Sequence, residues 1–354
     1  MERNTFMSKN PYAITFGRIP NQYISRDILI DTIIETLVSD IVEEQAFKLT
    51  GVRGAGKTVT LTAIEKKLRE NGDWIIIDLR PDSDILSDLI SGLYSAVPFL
   101  TEFVDRSLNL SAFGISAGIS SKAPITSSDV ALTKLLEKTK KRGKRVLIAI
   151  DEARKTQSMV NFIQEFQILI RKELPLYFIA AGLYEDIESI ENSEGMTFFL
   201  RATKYEMAPL NYTKIRDDYQ KTLGLDRETA EKLALMTKGY AFAYQAIGKY
   251  MWDSVSKTIT DDVLAKVDEA LAEKVYNKIW SELTPIDKEY IQFIAKRDSI
   301  PVADLLEITG RKHNEWSIPR KRLAQKGIID ISQRGVVSMK LPRLKEFIEA
   351  QLDI

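Results

Sequence analysis

Gly51-Val52-Arg53-Gly54-Ala55-Gly56-Lys57-Thr58 matches the spacing G-x-x-x-x-G-K-[ST]. Each residue type has a task there. Glycines let the backbone curl so that several N–H groups point inward at phosphate oxygens. The helix that follows adds the positive end of its dipole. The lysine, Lys57, is placed to reach β- and γ-phosphates, and the Thr58 hydroxyl to ligate magnesium. Gly51, Val52, Arg53, Gly54, Ala55, Gly56, Lys57, Thr58 and Val59 are the expected nucleotide-binding residues.

Val146-Leu147-Ile148-Ala149-Ile150-Asp151-Glu152 is an apolar run ending in two acids. Such a run puts the acids at the carboxyl edge of a buried strand, where ligands sit in open α/β sheets. Asp151 is expected to hold magnesium through water, and Glu152 to polarise an attacking water as general base.

These residues need a sheet to position them, and the sequence predicts one. Ala46–Thr50, Trp74–Leu79, Val146–Ile150, Leu176–Ala181 and Thr203–Met207 read as strands. Helices are expected over Thr58–Arg69, which stops at Asn71-Gly72, and over Asp84–Val97 and Met159–Arg171. Strands apolar on both faces, alternating with amphipathic helices, imply a parallel sheet covered on both sides. Ser107–Ser128 breaks the rhythm. Leu108, Leu110 and Ala112, then Ile115, Ala117 and Ile119, alternate with polar residues, as an inserted hairpin or a loop would. Ile19–Asp27 either wraps over a base, with Pro20 and Tyr23 as apolar contacts, or packs on the core.

From Asn211 the pattern is helical only: Asn211–Leu223, Arg227–Lys238 with Asp226 as N-cap, Ala241–Val255 and Asp261–Trp280. Thr284-Pro285-Ile286-Asp287 then starts a helix running to Lys296. Val302–Ile308 and Pro319–Lys326 follow as short helices. Ile328–Ser332 and Val336–Leu341 read as strands joined by Gln333-Arg334-Gly335, and Arg343–Leu352 as a closing helix. Three helices and a two-stranded wing suggest a winged helix.

Composition bounds the chemistry. The chain has 354 residues, enough for two or three compact units, and its 50 basic and 50 acidic side chains cancel. With no cysteine and one histidine, His313, disulfides, thiolate catalysis and multi-histidine metal sites are excluded. No apolar run approaches the roughly 20 residues that span a bilayer. Met1-Glu2-Arg3-Asn4 lacks the apolar core of a signal peptide, so no membrane partner and a cytoplasmic location are expected.

With these residues in hand, the chain resembles the AAA+ P-loop ATPases. Within them it looks most like origin-recognition and Cdc6-type initiators and related bacterial and archaeal ATP-binding proteins with a C-terminal winged helix. The carrying stretches are GVRGAGKT at 51–58, RVLIAIDEA at 145–153, LYFIAAGL at 176–183, FFLRATKYEMAPL at 198–210 and GYAFAYQAIGKYMW at 239–252. The resemblance implies an α/β P-loop NTPase core over residues 1–207, an all-helical lid over 208–280 and a winged-helix domain over 281–354. It implies ATP with Mg2+ as cofactors, held between core and lid, and ATP hydrolysis. Arg201 resembles the arginine that senses or stabilises the γ-phosphate, often across a subunit interface; a surface arginine at a strand start would look the same. Two departures argue for slow or partner-dependent turnover. Ala180-Ala181 stands where many relatives have a polar sensor, and the lid helix offers Tyr240, Gln245 and Lys249 where many have an arginine.

The implied partners are double-stranded DNA and a homo-oligomer or partner protein. Arg311, Lys312, Arg320, Lys321, Arg322, Lys326 and Arg334 form the candidate DNA face, with Pro319–Lys326 as recognition helix. Residues 283–354 carry 13 basic and 10 acidic side chains. Winged helices also bind proteins, so the alternative is a signalling or scaffold ATPase whose wing reads protein.

Overall fold

The computed structural model describes residues 9–15, 19–115 and 123–352. They divide into two compact units. One comprises Arg26–Gly51 and Lys57–Met207; the other comprises Met1–Ser25, Val52–Gly56 and Ala208–Ile354.

The first unit is built on a five-stranded sheet. Its strands are β1 (Ala46–Thr50), β2 (Trp74–Leu79), β3 (Arg145–Ile150), β4 (Leu176–Gly182) and β5 (Thr203–Glu206). Their order is β2-β3-β4-β1-β5 and every pairing is parallel. Register aligns Ile77 with Ile148, Ile148 with Phe178, and Leu49 with Ala181. β1, β3 and β4 are buried along nearly their whole length, because helices cover both faces of a parallel sheet. Phe178 packs edge-on to Phe162 at 5.0 Å and near Phe199 at 6.1 Å, one centre of that core.

Lys48 is the exception in β1. It is 1% exposed, and its ammonium donates to Glu191 Oε1 at 2.8 Å and to the Phe199 carbonyl at 2.6 Å. Lys204 donates to the other oxygen of Glu191 at 2.9 Å. Burial pulls the Lys48 pKa down, and Glu191 opposes that shift.

Several helices start where local chemistry dictates. Asp84 accepts from Ser87 N and Thr156 from Met159 N, capping Ile85–Ala96 and Gln157–Arg171. Pro98–Ser107, with proline at its first position, and Ser128–Lys141 are among the helices added to the sequence expectation. Of the Ser107–Ser128 stretch, Ala117 and Ile119 lie outside the described residues. The described part forms no strand: Leu108, Leu110 and Ile115 are buried, and a single 3-10 turn spans Ser111–Phe113. Here the alternation reflects apolar side chains folded back onto the core, so the hairpin expectation is corrected for the described residues. Met1–Asn4 also lies outside them.

In the second unit, Tyr212–Leu223, Arg227–Met236 and Asp261–Leu271 are capped by the side chains of Asn211, Asp226 and Thr260 in turn, whereas Ala241–Asp253 starts after Tyr240 with no side-chain cap. The helix expected to run to Trp280 continues without a gap to Ser281, with a π-helical stretch over Ala272–Tyr276. Asp218, 8% exposed, collects hydroxyls from Tyr12, Tyr244 and Thr222 at 2.7–2.8 Å, together with the Gln22 amide. Gln245 accepts from Ala13 N at 2.9 Å and donates to the Gln22 carbonyl at 2.7 Å. Residues around Gln22 are thereby fastened to the helix Ala241–Asp253.

The remainder runs helix Pro285–Ala295, β6 (Ser299–Pro301), helices Val302–Thr309 and His313–Gln325, β7 (Ile329–Asp330), β8 (Val336–Met339) and helix Leu344–Leu352. The strands form an antiparallel sheet in the order β6-β8-β7. Thr284 and Asp287 make the reciprocal capping box that their spacing predicts. The helix expected to begin at Pro319 instead begins at His313, with Pro319 inside it. Glu315 accepts from Lys312 N at 2.7 Å, and Trp316, 3% exposed, packs on Tyr290 at 4.9 Å. Tertiary packing of Trp316 and this cap offset the hydrogen bond the proline cannot make. Among the described residues no helix is long and apolar enough to cross a membrane.

Candidate nucleotide site

Thr50 ends β1, and the chain turns at once through the glycine-rich loop. Gly54 and Gly56 take φ of +71° and +90°, a region L side chains rarely adopt. The helix Lys57–Asn71 then begins at the lysine itself. Lys57 Nζ lies 2.9 Å from the Gly51 carbonyl. Thr58 is exposed, in the first turn, and Val59 follows half-buried.

β1 and β3 flank β4, so the residues after them meet above the β4 carboxyl end. Thr58 Oγ1 donates to Asp151 Oδ2 at 2.5 Å. Asp151 Oδ1 accepts the backbone N–H of Glu152 at 2.9 Å. Glu152 is exposed and holds φ of +52°, a left-handed conformation costly for a non-glycine residue. Ala153 N donates to the Ala181 carbonyl at 2.8 Å. A Cβ at Gly182 would sit 2.6 Å from the Ala153 carbonyl oxygen, so the strand end is pressed against this turn. That close approach leaves no polar side chain at the end of β4.

A cavity of about 510 Å³ opens beside these groups. Thr58, Asp151 and Glu152 line it, together with Glu65, Asp78, Arg80 and Arg154. Arg154 pairs with Asp82 at 3.2 Å. The sequence reading missed Arg80 and Arg154; their signal was position, just after β2 and just after the Asp151-Glu152 pair. Burial, then the neighbouring Asp78, pushes the Glu65 carboxyl up to about 8.

The donor set fits a magnesium ion bound mainly by substrate phosphates. Such sites use one or two protein groups and keep several waters. Thr58 and Asp151 would supply that pair, and no group of three or more histidine or acidic side chains at metal spacing occurs among the described residues.

Other candidates lie elsewhere. Arg201 ends the short helix Thr197–Arg201, exposed to solvent, and does not line the cavity. Lys48 donates to the carbonyls of Phe199 and Leu200, holding the last turn of that helix. In the second unit Lys249 pairs with Asp253 at 3.1 Å. Arg53 stands 3.8 Å from Glu282.

The candidate DNA residues divide by environment. Arg322 makes a two-pronged bond to Asp287, at 2.7 and 2.9 Å, and Asp287 is fully buried. Arg311 grips Glu289 with two contacts at 2.7 Å and lies over the Trp316 ring. Arg320 and Lys326 are half-buried, whereas Lys312, Lys321 and Arg334 are exposed. Ile318, on the same helix, is 67% exposed.

Residues 273–348 match a family model described as a domain of unknown function (DUF8462). No curated protein sequence matches the chain. Solved structures do. The Aeropyrum pernix ORC2 protein in its ADP form is 13% identical, with 96% of this chain and 97% of that chain covered and a TM-score of 0.50. Cdc6p from Pyrobaculum aerophilum is 14% identical over 96% and 97%, with a TM-score of 0.48. The Aeropyrum pernix ORC1 protein in complex with DNA is 14% identical over 96% and 95%, with a TM-score of 0.46. Likeness at this identity speaks to fold alone. The chain shares the α/β fold of the Aeropyrum pernix ORC2 protein.

Proposed function

We propose that this chain binds ATP with magnesium at Gly51–Val59 and hydrolyses it slowly. The observation that carries the reading is the meeting of two sequence motifs. Thr58 and Asp151, 93 residues apart, are within 2.5 Å, beside the exposed Glu152.

Each group has a role in that reading. The loop N–H groups and the start of the helix Lys57–Asn71 cradle the phosphates. Lys57 exchanges its bond to the Gly51 carbonyl for phosphate oxygens. Thr58 and Asp151 would hold magnesium, which when bound would neutralise charge developing on the phosphates. Glu152 orients and deprotonates the attacking water. Arg201, exposed, serves a neighbouring subunit's nucleotide. The slow turnover follows from Ala180-Ala181 and Gly182, which offer no polar side chain to help place the water.

The strand-and-helix order of residues 285–352 supports a winged helix, and residues 208–280 are read as the helical lid of the ATPase core. Nucleotide state then sets affinity for a partner. The first reading is duplex DNA, bound through Lys312, Lys321 and Arg334. A second reading, protein binding, is supported by the commitment of Arg311 and Arg322 to internal carboxylates and by the exposed Ile318.

The test is ATP turnover with magnesium, with and without duplex DNA, beside Glu152→Gln. Turnover that the variant abolishes and DNA raises supports the DNA-coupled ATPase. Turnover indifferent to DNA, with no salt-sensitive DNA binding, supports the protein reading. Absence of nucleotide binding by the wild type rejects both.

A further inference from the structure

The helix Ala241–Asp253 has no side-chain cap. The first N–H groups of any helix lack intrahelical partners and must find others. Phe242, the second residue, donates its N–H to the Gly54 carbonyl at 3.1 Å. Tyr240, at the cap position, donates its hydroxyl to the Arg53 carbonyl. Tyr240 is 7% exposed, and burial holds its hydroxyl protonated far above the usual range. Two consecutive carbonyls of the glycine-rich loop therefore complete this helix terminus. All four residues belong to the same compact unit.

The packing allows no substitute at Gly54. A Cβ there would lie 2.4 Å from the Tyr240 hydroxyl oxygen and 3.0 Å from Phe242 Cβ, besides carrying φ of +71°. In a planar trans peptide the carbonyl and the following N–H point in opposite directions. Fixing the Arg53 carbonyl on Tyr240 therefore turns the Gly54 N–H the other way, away from the helix.

We propose that Tyr240 is a positioning residue for phosphate binding, and that through it the helix Ala241–Asp253 reads whether the loop holds an anion. This rests on the nucleotide reading of Gly51–Val59. An anion on the Gly54 N–H polarises that peptide and makes the Arg53 carbonyl a stronger acceptor for Tyr240. By linkage, what the anion does for the helix terminus, the helix terminus does for the anion. The loop is preorganised by a side chain 187 residues away in sequence.

The test uses the full chain and ADP. Tyr240→Phe removes one oxygen and keeps the ring, so the packing against Gly54 stays. ADP affinity, measured by calorimetry, is expected to fall about fivefold, the scale of one lost hydrogen bond. The ATP concentration for half-maximal turnover should rise in parallel, with kcat kept within about twofold, since the bond acts on ground and transition states alike. In the wild type, ADP should raise hydrogen-exchange protection at the start of the helix Ala241–Asp253, and Tyr240→Phe should reduce that rise. A variant with wild-type ADP affinity and wild-type protection overturns the proposal while leaving nucleotide binding intact. A wild type that binds no ADP overturns the proposal together with the reading beneath it.

Discussion

Thr58 donates its hydroxyl to Asp151 across 2.5 Å, so the first turn of the helix Lys57–Asn71 and the acidic strand end are bonded to each other. The same two oxygens are those proposed to face magnesium, directly for Thr58 and through water for Asp151. Asp151→Asn keeps the size and can still accept from Thr58, but loses the negative charge. It is expected to weaken the magnesium dependence of ATP binding by about 10–100-fold, as outer-sphere changes at metal sites do. Titrating ATP with magnesium and again with a chelator measures this. Equal magnesium dependence in wild type and variant would remove Asp151 from the site.

Glu152 stands in a left-handed conformation with φ of +52°. Strain at an exposed acid beside a cavity costs stability, and the fold bears it. Glu152→Gly relieves the backbone but enlarges the unfolded ensemble, so the net gain should be about 0.5–1 kcal/mol. Turnover should be lost at the same time. Urea unfolding and steady-state turnover on one sample decide it. A destabilised Glu152→Gly variant would mean that no strain was stored there.

Arg69 reaches two acids, Glu65 at 3.4 Å and Asp78 at 3.3 Å. Glu65 is 6% exposed, and its carboxyl pKa is raised from 4.5 to about 8, by burial first and by Asp78 second. The sign follows directly. A carboxyl whose folded pKa exceeds its unfolded value binds a proton more tightly when folded. Its contribution to stability is full below about pH 4.5 and is lost as pH rises towards 8. Glu65→Gln should flatten that decline and raise the melting temperature most near pH 8. Melting curves from pH 5 to 8.5 for both proteins test it; parallel profiles would contradict a protonated Glu65.

Much of this was legible in sequence for a physical reason: the informative residues were neighbours. The loop at Gly51–Thr58 is contiguous, as are the apolar run and acids at Val146–Glu152. Asp226 and the Thr284–Asp287 box act within one helical turn. What escaped depended on tertiary partners. Lys48 lies in an apolar strand, and only Glu191, 143 residues on, explains it. β6 is three residues long and ends in proline, too short to carry a pattern. Pro319 misplaced a helix start because Trp316, through Tyr290, stabilises the turn before it. The bond of Tyr240 to Arg53, 187 residues away, was likewise not legible.

Arg322 and Lys321 are adjacent, and a sequence reading gives both to DNA, yet their surroundings separate them. Arg322 is two-pronged onto Asp287, which is fully buried, and also meets Thr284 at 3.0 Å. Lys321 is exposed. Arg322 is 34% exposed and Asp287 keeps its bonds from Thr284, so Arg322→Ala should cost about 1.5–3 kcal/mol, the scale of hydrogen bonds to a charged group. Lys321→Ala should leave stability within about 0.5 kcal/mol. If the chain binds duplex DNA, Lys321→Ala should weaken it at low salt and lower the salt slope by about one. Denaturant unfolding followed by tryptophan fluorescence, with DNA titrations at two salt concentrations, measures both. Should Arg322→Ala unfold like wild type while abolishing DNA binding, Arg322 would belong to the DNA face and not to the helix start at Thr284.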